Sequence, residues 1–552
     1  MTEFGDLISA VGEFGLYQKL LVLLISLPLL LNPFQMIGQV FMVLDEPHHC
    51  NTSWIRAVGP NLTEEEQLNL TLPRDADGEY EQCSMYSPVD WDLDSIVAYG
   101  LNATEKCSSG WVYPSAQAPS LLTEFDLVCD RKDLNDVSQA IYMVGLLLGA
   151  IILGPLSDTI GRRAVFLISM LIQGLFGVAI AFVPHFYVYM AFRCVVGTAE
   201  SGIMITALAL ATEWVGVSQR SKAVLISHCF FAIGHTIIPG LSYGIRNWRL
   251  LQIAGSAPVF ALFFYIWVLP ESARWLVIKG RIEEAKKVLQ KAASINKRTI
   301  PPELLEQLKP ETQPKPGNPL DLFRKKHLLK VTLIMLCTWF AVSLVYYGLS
   351  LSVSSFGLDV YLTQLAFGGV ELPARFSCIF LLQWFGRKKT QAVLLLLSGL
   401  MCLIIIGIPE DQAVVTTVLA VIGKLTATAS FSTSYVYSAE LFPTVIRQTG
   451  VGLCSMSARL AGTMAPLMLL LERFHPAIPM AIFGSTPVVV GLFCFLLPET
   501  RDTELVDDMG MDDIKGVTPQ ISNRSPEALS KTDATEGGVD LETDNCAFLK
   551  SK

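Results

Sequence analysis

The chain is dominated by uncharged apolar runs that are close to the length needed to cross a lipid bilayer. Examples are Leu20 to Leu31, Gln391 to Ile408 and Ile482 to Leu497. Because 51% of the 552 residues are hydrophobic and only 16% are charged, one water-soluble core cannot hold this apolar surface. A membrane-spanning helix needs about 20 predominantly apolar residues. The runs therefore predict an all-α membrane protein.

Twelve spans are predicted along the chain. Their residue ranges are 16–42, 138–156, 164–184, 188–212, 222–244, 250–269, 329–352, 360–384, 391–408, 413–436, 448–470 and 478–497. The fourth and eighth ranges contain charges, which lower the hydropathy signal but are typical of functional sites inside membranes. The first run follows an acidic amphipathic stretch and has no clear small-residue cleavage site. We therefore expect it to be a retained helix.

The loop between the first two spans, residues 43–135, is predicted to be extracellular. From Asp45 to Asp133 it holds 17 acidic and 5 basic residues, a balance poorly suited to the cytoplasmic face. It carries four glycosylation sequons, which begin at Asn51, Asn61, Asn69 and Asn102. It also carries four cysteines, which are Cys50, Cys83, Cys107 and Cys129. Their even number predicts two disulfides and leaves three connectivities open.

The segment between the sixth and seventh spans has the opposite charge. Glu271 to Lys330 holds 14 basic and 7 acidic residues, which predicts a cytoplasmic position. Ile282 to Ala293 has helical periodicity, whereas Pro301 to Pro319 is predicted to be a linker. The expected organisation is a cytoplasmic N-terminus (1–15), an N-terminal six-helix half (16–270), a cytoplasmic loop (271–328), a C-terminal six-helix half (329–500) and a disordered cytoplasmic tail (501–552).

Short motifs recur between the first six and the last six spans. Three motif pairs recur at offsets of 225, 227 and 228 residues: Gly161-Arg162-Arg163 with Gly386-Arg387-Lys388, Glu213 and Arg220 with Glu440 and Arg447, and Pro270-Glu271-Ser272 with Pro498-Glu499-Thr500. Coincidences at nearly one offset indicate two homologous halves, as in transporters built from parallel repeats.

The first of these motifs belongs to a longer loop sequence. Gly154 to Arg163, GPLSDTIGRR, resembles the major facilitator superfamily signature, although Thr159 replaces the usual basic residue and Gln383 stands at the second copy's match to Asp158. The resemblance implies the major facilitator fold. It also implies a cytoplasmic latch, in which Asp158 pairs with basic side chains or a helix end in the outward-open state. Further members expected in this gating network are Arg162, Arg163, Glu213, Arg220, Glu271, Arg274, Arg387, Glu440 and Arg447. The two arginines of GPLSDTIGRR could instead merely anchor the topology.

Two more segments narrow the resemblance. Pro270 to Leu276 (PESARWL) and Ser438 to Gly450 (SAELFPTVIRQTG), together with the large sequon-bearing loop, resemble the organic ion transporters of solute carrier family 22. The likeness runs from residue 1 to about 505, and the segments beginning at Asp45, Arg246 and Phe356 look most like its anion branch. The resemblance implies exchange of small organic anions, such as nicotinate and other aromatic monocarboxylates, and urate, for intracellular organic anions. The implied location is the plasma membrane, including apical epithelial surfaces, with both termini in the cytoplasm.

Arginines inside the predicted spans favour an anionic substrate, because a cation at bilayer depth needs a wet cavity or a partner. Arg459 has no acidic residue three or four positions away and has small neighbours, so we expect it to contact the anion directly. The family resemblance implies a basic residue there in anion carriers and an aspartate in cation carriers. Arg375 follows Glu371 by one helical turn, which leaves an internal ion pair as the alternative to substrate contact. Arg193 and Glu200 are interpreted as a structural pair.

Aromatic and polar residues in the spans complete the expected substrate site. They are Tyr346, Tyr347, Phe230, Phe231, Phe431, Tyr435, Gln39 and His235. Stacking of an aromatic anion on such a ring contributes about 1 kcal/mol.

The sequence has no Walker loop, zinc-ligand cluster or nucleophile elbow, so we expect a transporter driven by gradients rather than an enzyme. No cofactor, no metal and no nucleic-acid partner are expected. The expected partners are the anions and the bilayer, and a monomer is sufficient. Two alternatives remain, which are a cation or zwitterion carrier of the same fold and a non-transporting receptor or scaffold.

Overall fold

The computed structural model describes residues 4–262, 264–309, 320–443 and 446–501. Within these residues, twelve helical segments are long and apolar enough to cross a membrane. Spans 1 to 12 are Leu16–Ile37, Cys129–Ile160, Arg162–Phe182, Phe186–Trp214, Lys222–Gly244, Trp248–Val268, Lys326–Leu351, Val360–Phe385, Arg387–Ile406, Ala413–Leu441, Thr449–Arg473 and Ala477–Cys494. They are arranged as two sets of six, as the resemblance implies. The predicted disordered tail lies outside the described residues, apart from Arg501.

Several spans extend beyond the apolar runs that predicted them. Span 2 begins at Cys129 rather than at residue 138, and its regular α-helix begins at Asp133. Span 10 continues to Leu441, five residues past the predicted end. The added turns carry polar or charged side chains, which reduce hydropathy without interrupting backbone hydrogen bonding.

Span 1 is divided into short helices by its prolines. The helices Leu16–Ser26 and Asn32–Ile37 are joined through the 3₁₀ turn Pro28–Leu30, and a further turn, Gln39–Met42, follows. Proline has no N–H to donate and clashes with the preceding turn. Span 1 therefore follows an irregular path beside the centre of the protein.

The two halves meet along two pairs of spans. Span 2 packs against span 11, and span 5 packs against span 8. At Gly368 in span 8 the backbones approach so closely that a Cβ would lie 2.9 Å from the amide nitrogen of Thr236 in span 5. A larger residue than glycine would force the halves apart at this point.

The loop between spans 1 and 2 folds into a small disulfide-bonded unit. Strand β1 (His49–Cys50) pairs antiparallel with β4 (Trp111–Val112), and β2 (Ser84–Tyr86) pairs antiparallel with β3 (Thr104–Lys106). Short helices cover Glu64–Thr71, Leu93–Tyr99 and Leu121–Phe125. The prediction of two disulfides is confirmed, and the connectivity is Cys50–Cys107 and Cys83–Cys129. We call the membrane face that carries this unit the loop side, and the face that carries Gly161-Arg162-Arg163 the motif side.

Four helices on the motif side pack against the first half, namely Phe4–Val11, Ala273–Ile278, Ile282–Ile295 and Pro302–Glu306. A fifth, Asp321–Arg324, packs against span 7. The helix predicted from residue 282 is present, but the predicted linker begins with the short helix Pro302–Glu306, because Pro302 is tolerated in a first helical turn. Asn296, which follows the helix Ile282–Ile295, joins it to the helix Phe4–Val11 and to span 1. Its side chain donates to the Val11 carbonyl at 2.9 Å and accepts from the Tyr17 amide at 2.8 Å.

Candidate substrate site

Four of the predicted aromatic residues form one cluster in the second half. The ring centroids of Tyr346 and Tyr347 are 5.3 Å apart, and the Phe431 ring lies 6.1 Å from Tyr346 and 5.5 Å from Tyr435. A fifth member, Trp339, was not among the predicted residues, and its ring is 4.5 Å from that of Tyr435. Trp339 lies two helical turns before Tyr346 in span 7, so helical spacing was the available signal. These distances suit rings that present faces and edges to a flat ligand.

Residues of the first half complete the other wall of this cluster. Phe231 of span 5 packs with Tyr142 and Leu146 of span 2, and Tyr347 packs against the same residues. Phe230, the neighbouring candidate, is half-buried. The structure thus brings Phe231, Tyr347 and Tyr435 to the interface between the halves.

Arg459 lies at this interface, in the middle of span 11. Its guanidinium Nη1 donates to the Leu146 carbonyl at 3.2 Å, which is a contact with the opposite half. The side chain is only partly buried. Three residues later, Gly462 leaves room for Tyr347, whose ring would lie 3.2 Å from a Cβ at that position. The cation and the aromatic ring are therefore neighbours.

Arg375 also lies beside the aromatic cluster, in span 8. Its Nη1 donates to His228 Nδ1 at 3.2 Å and to Ser432 Oγ at 3.4 Å. The His228 ring lies 6.3 Å from that of Tyr435, which places the guanidinium beside the cluster. The suggested pair with Glu371 is present but long, at 3.9 Å between Nη2 and Oε2.

His235 lies in a buried network that joins the halves and borders the aromatic cluster through Tyr346. Its ring nitrogens lie 3.2 Å from Glu371 Oε1 and 3.0 Å from Gln364 Oε1, and the side chain is fully buried. Lys424, which was not among the predicted site residues, belongs to the same network, with its Nζ 3.6 Å from Glu371 Oε1. It was overlooked because one lysine in a hydrophobic run gives little periodic signal. Its position inside a span was itself the informative feature.

Gln39 forms its hydrogen bonds within the first half. Its amide donates to Asn135 Oδ1 and to Ser138 Oγ, both at 2.6 Å, and its oxygen accepts from the Tyr189 hydroxyl at 3.2 Å. It lines a separate loop-side cavity of about 260 Å³. Because its polar atoms already have partners in the first half, Gln39 holds spans 1, 2 and 4 together.

Arg193 and Glu200 do not form a direct ion pair. Arg193 donates to the Gln35 carbonyl and to Gln139 Oε1, whereas Glu200 accepts from the Tyr142 hydroxyl. The Arg193 guanidinium lies over the Tyr142 ring, 4.3 Å from its centroid. Tyr142 therefore connects the two charges. The sequence could not show this, because Tyr142 lies in span 2 and both charged residues lie in span 4.

The motif-side residues form matching networks in the two halves. Arg162 pairs with Glu213 at 3.1 Å, and Arg387 pairs with Glu440 at 3.0 Å. Glu271 accepts from the backbone amides of Arg162 and Arg163 at the start of span 3, as Glu499 does at the start of span 9. Backbone carbonyls bind two other candidates: Arg220 donates to Thr212, and Arg447 donates to Phe442. Arg274 is half-buried in the helix Ala273–Ile278.

Asp158 pairs within its own half in this conformation. Its carboxylate lies 2.7 Å from Arg162 Nη1, one turn along, and its side chain is 71% exposed. At the loop side, in contrast, the halves touch. The Phe41 and Tyr361 rings stack at 5.2 Å, Arg246 donates to the Tyr361 hydroxyl at 2.8 Å, and Arg473 pairs with Asp133 at 3.2 Å. The interface is therefore closed at the loop side.

In the described part of the chain, one group of side chains has metal-ligand types within 4.8 Å of one another, namely His48, Cys83 and Cys129. Both cysteines are committed to the disulfide, so their thiolates are not available to a metal. The sequons in this unit differ in access. Asn61, Asn69 and Asn102 are exposed, whereas Asn51 is half-buried and donates to the Ser109 carbonyl at 3.4 Å.

Comparisons with known proteins agree with this architecture. A family model described as Major Facilitator Superfamily matches residues 135–466. The chain is 50% identical to solute carrier family 22 member 13 of Homo sapiens, covering 100% of both chains, and 37% identical to member 6 of Danio rerio, covering 99% of both. A partially occluded inward-open structure of the xylose transporter XylE from E. coli aligns with a TM-score of 0.58 at 15% identity, covering 89% of this chain and 100% of that one. At that identity the structural likeness shows the fold alone.

The match to the superfamily model covers more than half of the chain, and the full-length relatives agree with the two-half helical fold. The chain is therefore a multi-pass membrane protein that belongs to solute carrier family 22 of the major facilitator superfamily, a family of solute transporters rather than enzymes.

Proposed function

We propose that the protein exchanges small organic anions across the plasma membrane, with nicotinate, other aromatic monocarboxylates and urate as substrates and intracellular organic anions as counter-substrates. The observation that carries this proposal is the position of Arg375 and Arg459 beside one aromatic cluster. A guanidinium binds a carboxylate through paired charge-assisted hydrogen bonds, and aromatic rings stack on the anion's own ring.

Unused hydrogen-bond donors support an acceptor-rich ligand. The Nε atoms of Arg375 and Trp339 are both buried and have no acceptor among the described residues. A buried donor without a partner costs about 1–3 kcal/mol, which an anionic ligand in the site would offset. The nearby carboxylates of Glu200 and Glu371 favour a cation less, because each already accepts hydrogen bonds from protein side chains.

In the proposed mechanism the loop side faces the cell exterior, both termini are cytoplasmic and one chain is sufficient. The conformation described above is then closed outside, and the anion exchanges with the cytoplasm. Opening requires the Tyr361 and Arg473 contacts to separate while the motif-side networks approach each other. No ATP hydrolysis is involved, because exchange draws on the gradients of the two anions.

The test is flux into vesicles that contain the purified protein. Radiolabelled nicotinate, urate and tetraethylammonium are supplied outside, with or without unlabelled nicotinate inside. We expect uptake of the two anions, several-fold stimulation by internal nicotinate, and no uptake of the cation. Cation uptake would identify a cation carrier, and the absence of any protein-dependent flux would identify a receptor or scaffold.

A further inference from the structure

Lys424 is a cation with no access to solvent. It lies in span 10 with 0% exposure, its Nζ is 2.5 Å from Ser350 Oγ, and it lies 3.1 Å from the centroid of the Tyr346 ring. A buried ammonium group is stable only when a counter-charge and hydrogen bonds replace water. Its counter-charge is Glu371, at 3.6 Å. Lys424 therefore has a counter-charge within the protein and does not need a bound substrate to neutralise its own charge.

Glu371 is bound unevenly through its two carboxylate oxygens. Oε1 accepts from the Tyr346 hydroxyl at 2.5 Å and lies 3.2 Å from His235 Nδ1 and 3.6 Å from Lys424 Nζ. Oε2 is buried and accepts no hydrogen bond from the described residues. The partners of Glu371 thus gather on the oxygen that points away from Arg375.

Arg375 correspondingly has guanidinium nitrogens without a close acceptor. Its Nη2 is 3.9 Å from Glu371 Oε2, which is too long for a charge-assisted hydrogen bond, and its Nε has no acceptor. The cluster of Glu371, Lys424 and Arg375 contains one carboxylate and two basic side chains. When both basic side chains are protonated, one positive charge is left uncompensated, and one monovalent organic anion would balance it.

We propose that Lys424 is a positioning residue, which occupies Glu371 and so keeps the Arg375 guanidinium available for the anion. This inference rests on the proposed function. Without the ammonium group, Glu371 would draw its charge partner from Arg375, which lies one turn away on the same helical face. The intrahelical ion pair, one of the two alternatives that the sequence leaves open for Arg375, would then form at the expense of the substrate.

The test is a charge-balanced set of variants assayed for nicotinate uptake per molecule at the cell surface. We expect Lys424→Met to raise KM about tenfold while changing kcat less than twofold. Adding Glu371→Gln to that variant removes the competitor for Arg375 and should return KM to within threefold of wild type. Glu371→Gln alone should leave KM unchanged or lower it. Lys287→Met, on the exposed face of the helix Ile282–Ile295, is the matched control.

Two outcomes would overturn the proposal. If Lys424 contacts the anion itself, the double variant will remain as impaired as Lys424→Met. If the cluster only supports folding, Glu371→Gln will raise KM measured on the molecules that reach the surface. Should Lys424→Met fail to reach the surface, the result for Glu371→Gln alone still decides between these readings.

A structural readout separates this inference from the proposed function. Cryo-EM of the Lys424→Met variant in nanodiscs should show an Arg375 nitrogen within hydrogen-bonding distance of Glu371 and away from His228. An unchanged guanidinium would refute the inference whatever the substrate is. If the guanidinium moves but wild-type vesicles carry no anion, the substrate assignment is wrong and the charge arrangement stands.

Discussion

At the residue scale, Arg459 carries the clearest functional expectation. It reaches the opposite half through the Leu146 carbonyl, and it lies one turn from the Gly462 that accommodates Tyr347. A carbonyl is a weak partner for a guanidinium in comparison with a carboxylate. The residue is therefore available to exchange its bond with Leu146 for a bond with an anion.

We expect Arg459→Lys to raise KM for nicotinate about tenfold, equivalent to ~1.4 kcal/mol, because lysine keeps the charge but lacks the planar fork. Arg459→Ala should nearly abolish uptake while the protein still reaches the surface. Uptake per surface-biotinylated molecule measures both effects. An alanine variant that retains wild-type affinity would contradict substrate contact, and intracellular retention would indicate a structural role.

At the scale of elements, the start of span 3 depends on the network around Arg162. This arginine joins Asp158 to Glu213, and Glu271 accepts the first amides of the span. The aspartate is the most exposed of these acids in this conformation. It is thus the member that can change partner when the motif side closes.

We expect Asp158→Asn to lower turnover about fivefold, a change of about 1 kcal/mol in the balance of open states, with little effect on ground-state binding. Concentration-dependent flux separates kcat from KM. Asp411→Asn, an exposed loop-side substitution, is the control and should behave as wild type. Unchanged turnover of Asp158→Asn at normal surface expression would remove the gating role.

A second element-scale contact docks the loop unit onto span 6. Glu124 accepts from Trp248 Nε1 at 2.6 Å and also from Arg249. Burial alone would raise the pKa of Glu124, but hydrogen bonds from Arg249 and Trp248 hold that pKa below its ordinary value. The carboxylate therefore stabilises the folded state above the pKa of the unfolded chain, about 4.3, and loses that contribution as pH falls through the lower folded value.

We expect Glu124→Gln to lower the melting temperature at pH 7, with the difference from wild type shrinking below about pH 4 as the wild-type carboxyl becomes protonated. Thermal unfolding of the detergent-solubilised protein measures both values. Glu65→Gln, in an exposed part of the same loop, should show no difference at either pH. If the melting temperature falls by the same amount at every pH, packing rather than the charge of Glu124 holds the loop unit against span 6.

At the scale of the whole molecule, contacts around Tyr361 join the two halves at the loop side. Tyr361 joins three partners across the interface or along its rim, since it stacks on Phe41, accepts from Arg246 and packs edge-on against Tyr243. The Arg473–Asp133 ion pair is largely exposed and contributes little by itself. Removing the Tyr361 ring should therefore weaken the loop-side contact more than removing the Arg473–Asp133 ion pair.

We expect Tyr361→Ala to increase the loop-side-open population. A Ser352→Cys reporter, buried beside the loop-side cavity, should then react faster with a membrane-impermeant thiol reagent added from outside. Tyr187→Ala, at the loop-side start of span 4, removes an exposed ring and should leave the rate unchanged. An unaltered reaction rate in Tyr361→Ala would show that these contacts do not limit opening.

The sequence by itself determined that the chain lies in a lipid bilayer, how many spans it has and that it is built from two homologous halves. Apolar runs report lipid burial directly, and motif offsets report duplicated halves, because both properties are local in sequence. Helix ends were less predictable. The charged turn from Arg387 and the polar turn from Asp133 continue their helices although their hydropathy is low.

Tertiary structure alone decided how the polar residues inside the membrane are used. Gln39 and His235 have the same chemistry as ligand-binding residues, but neighbouring spans satisfy their polar atoms, whereas Arg459 keeps a weaker carbonyl partner. Lys424 gave no periodic signal, and its role emerged only from its distance to Glu371. The physical reason is that the cost of a buried polar group depends on its partners, and in a twelve-helix bundle those partners come from other helices, often more than a hundred residues away.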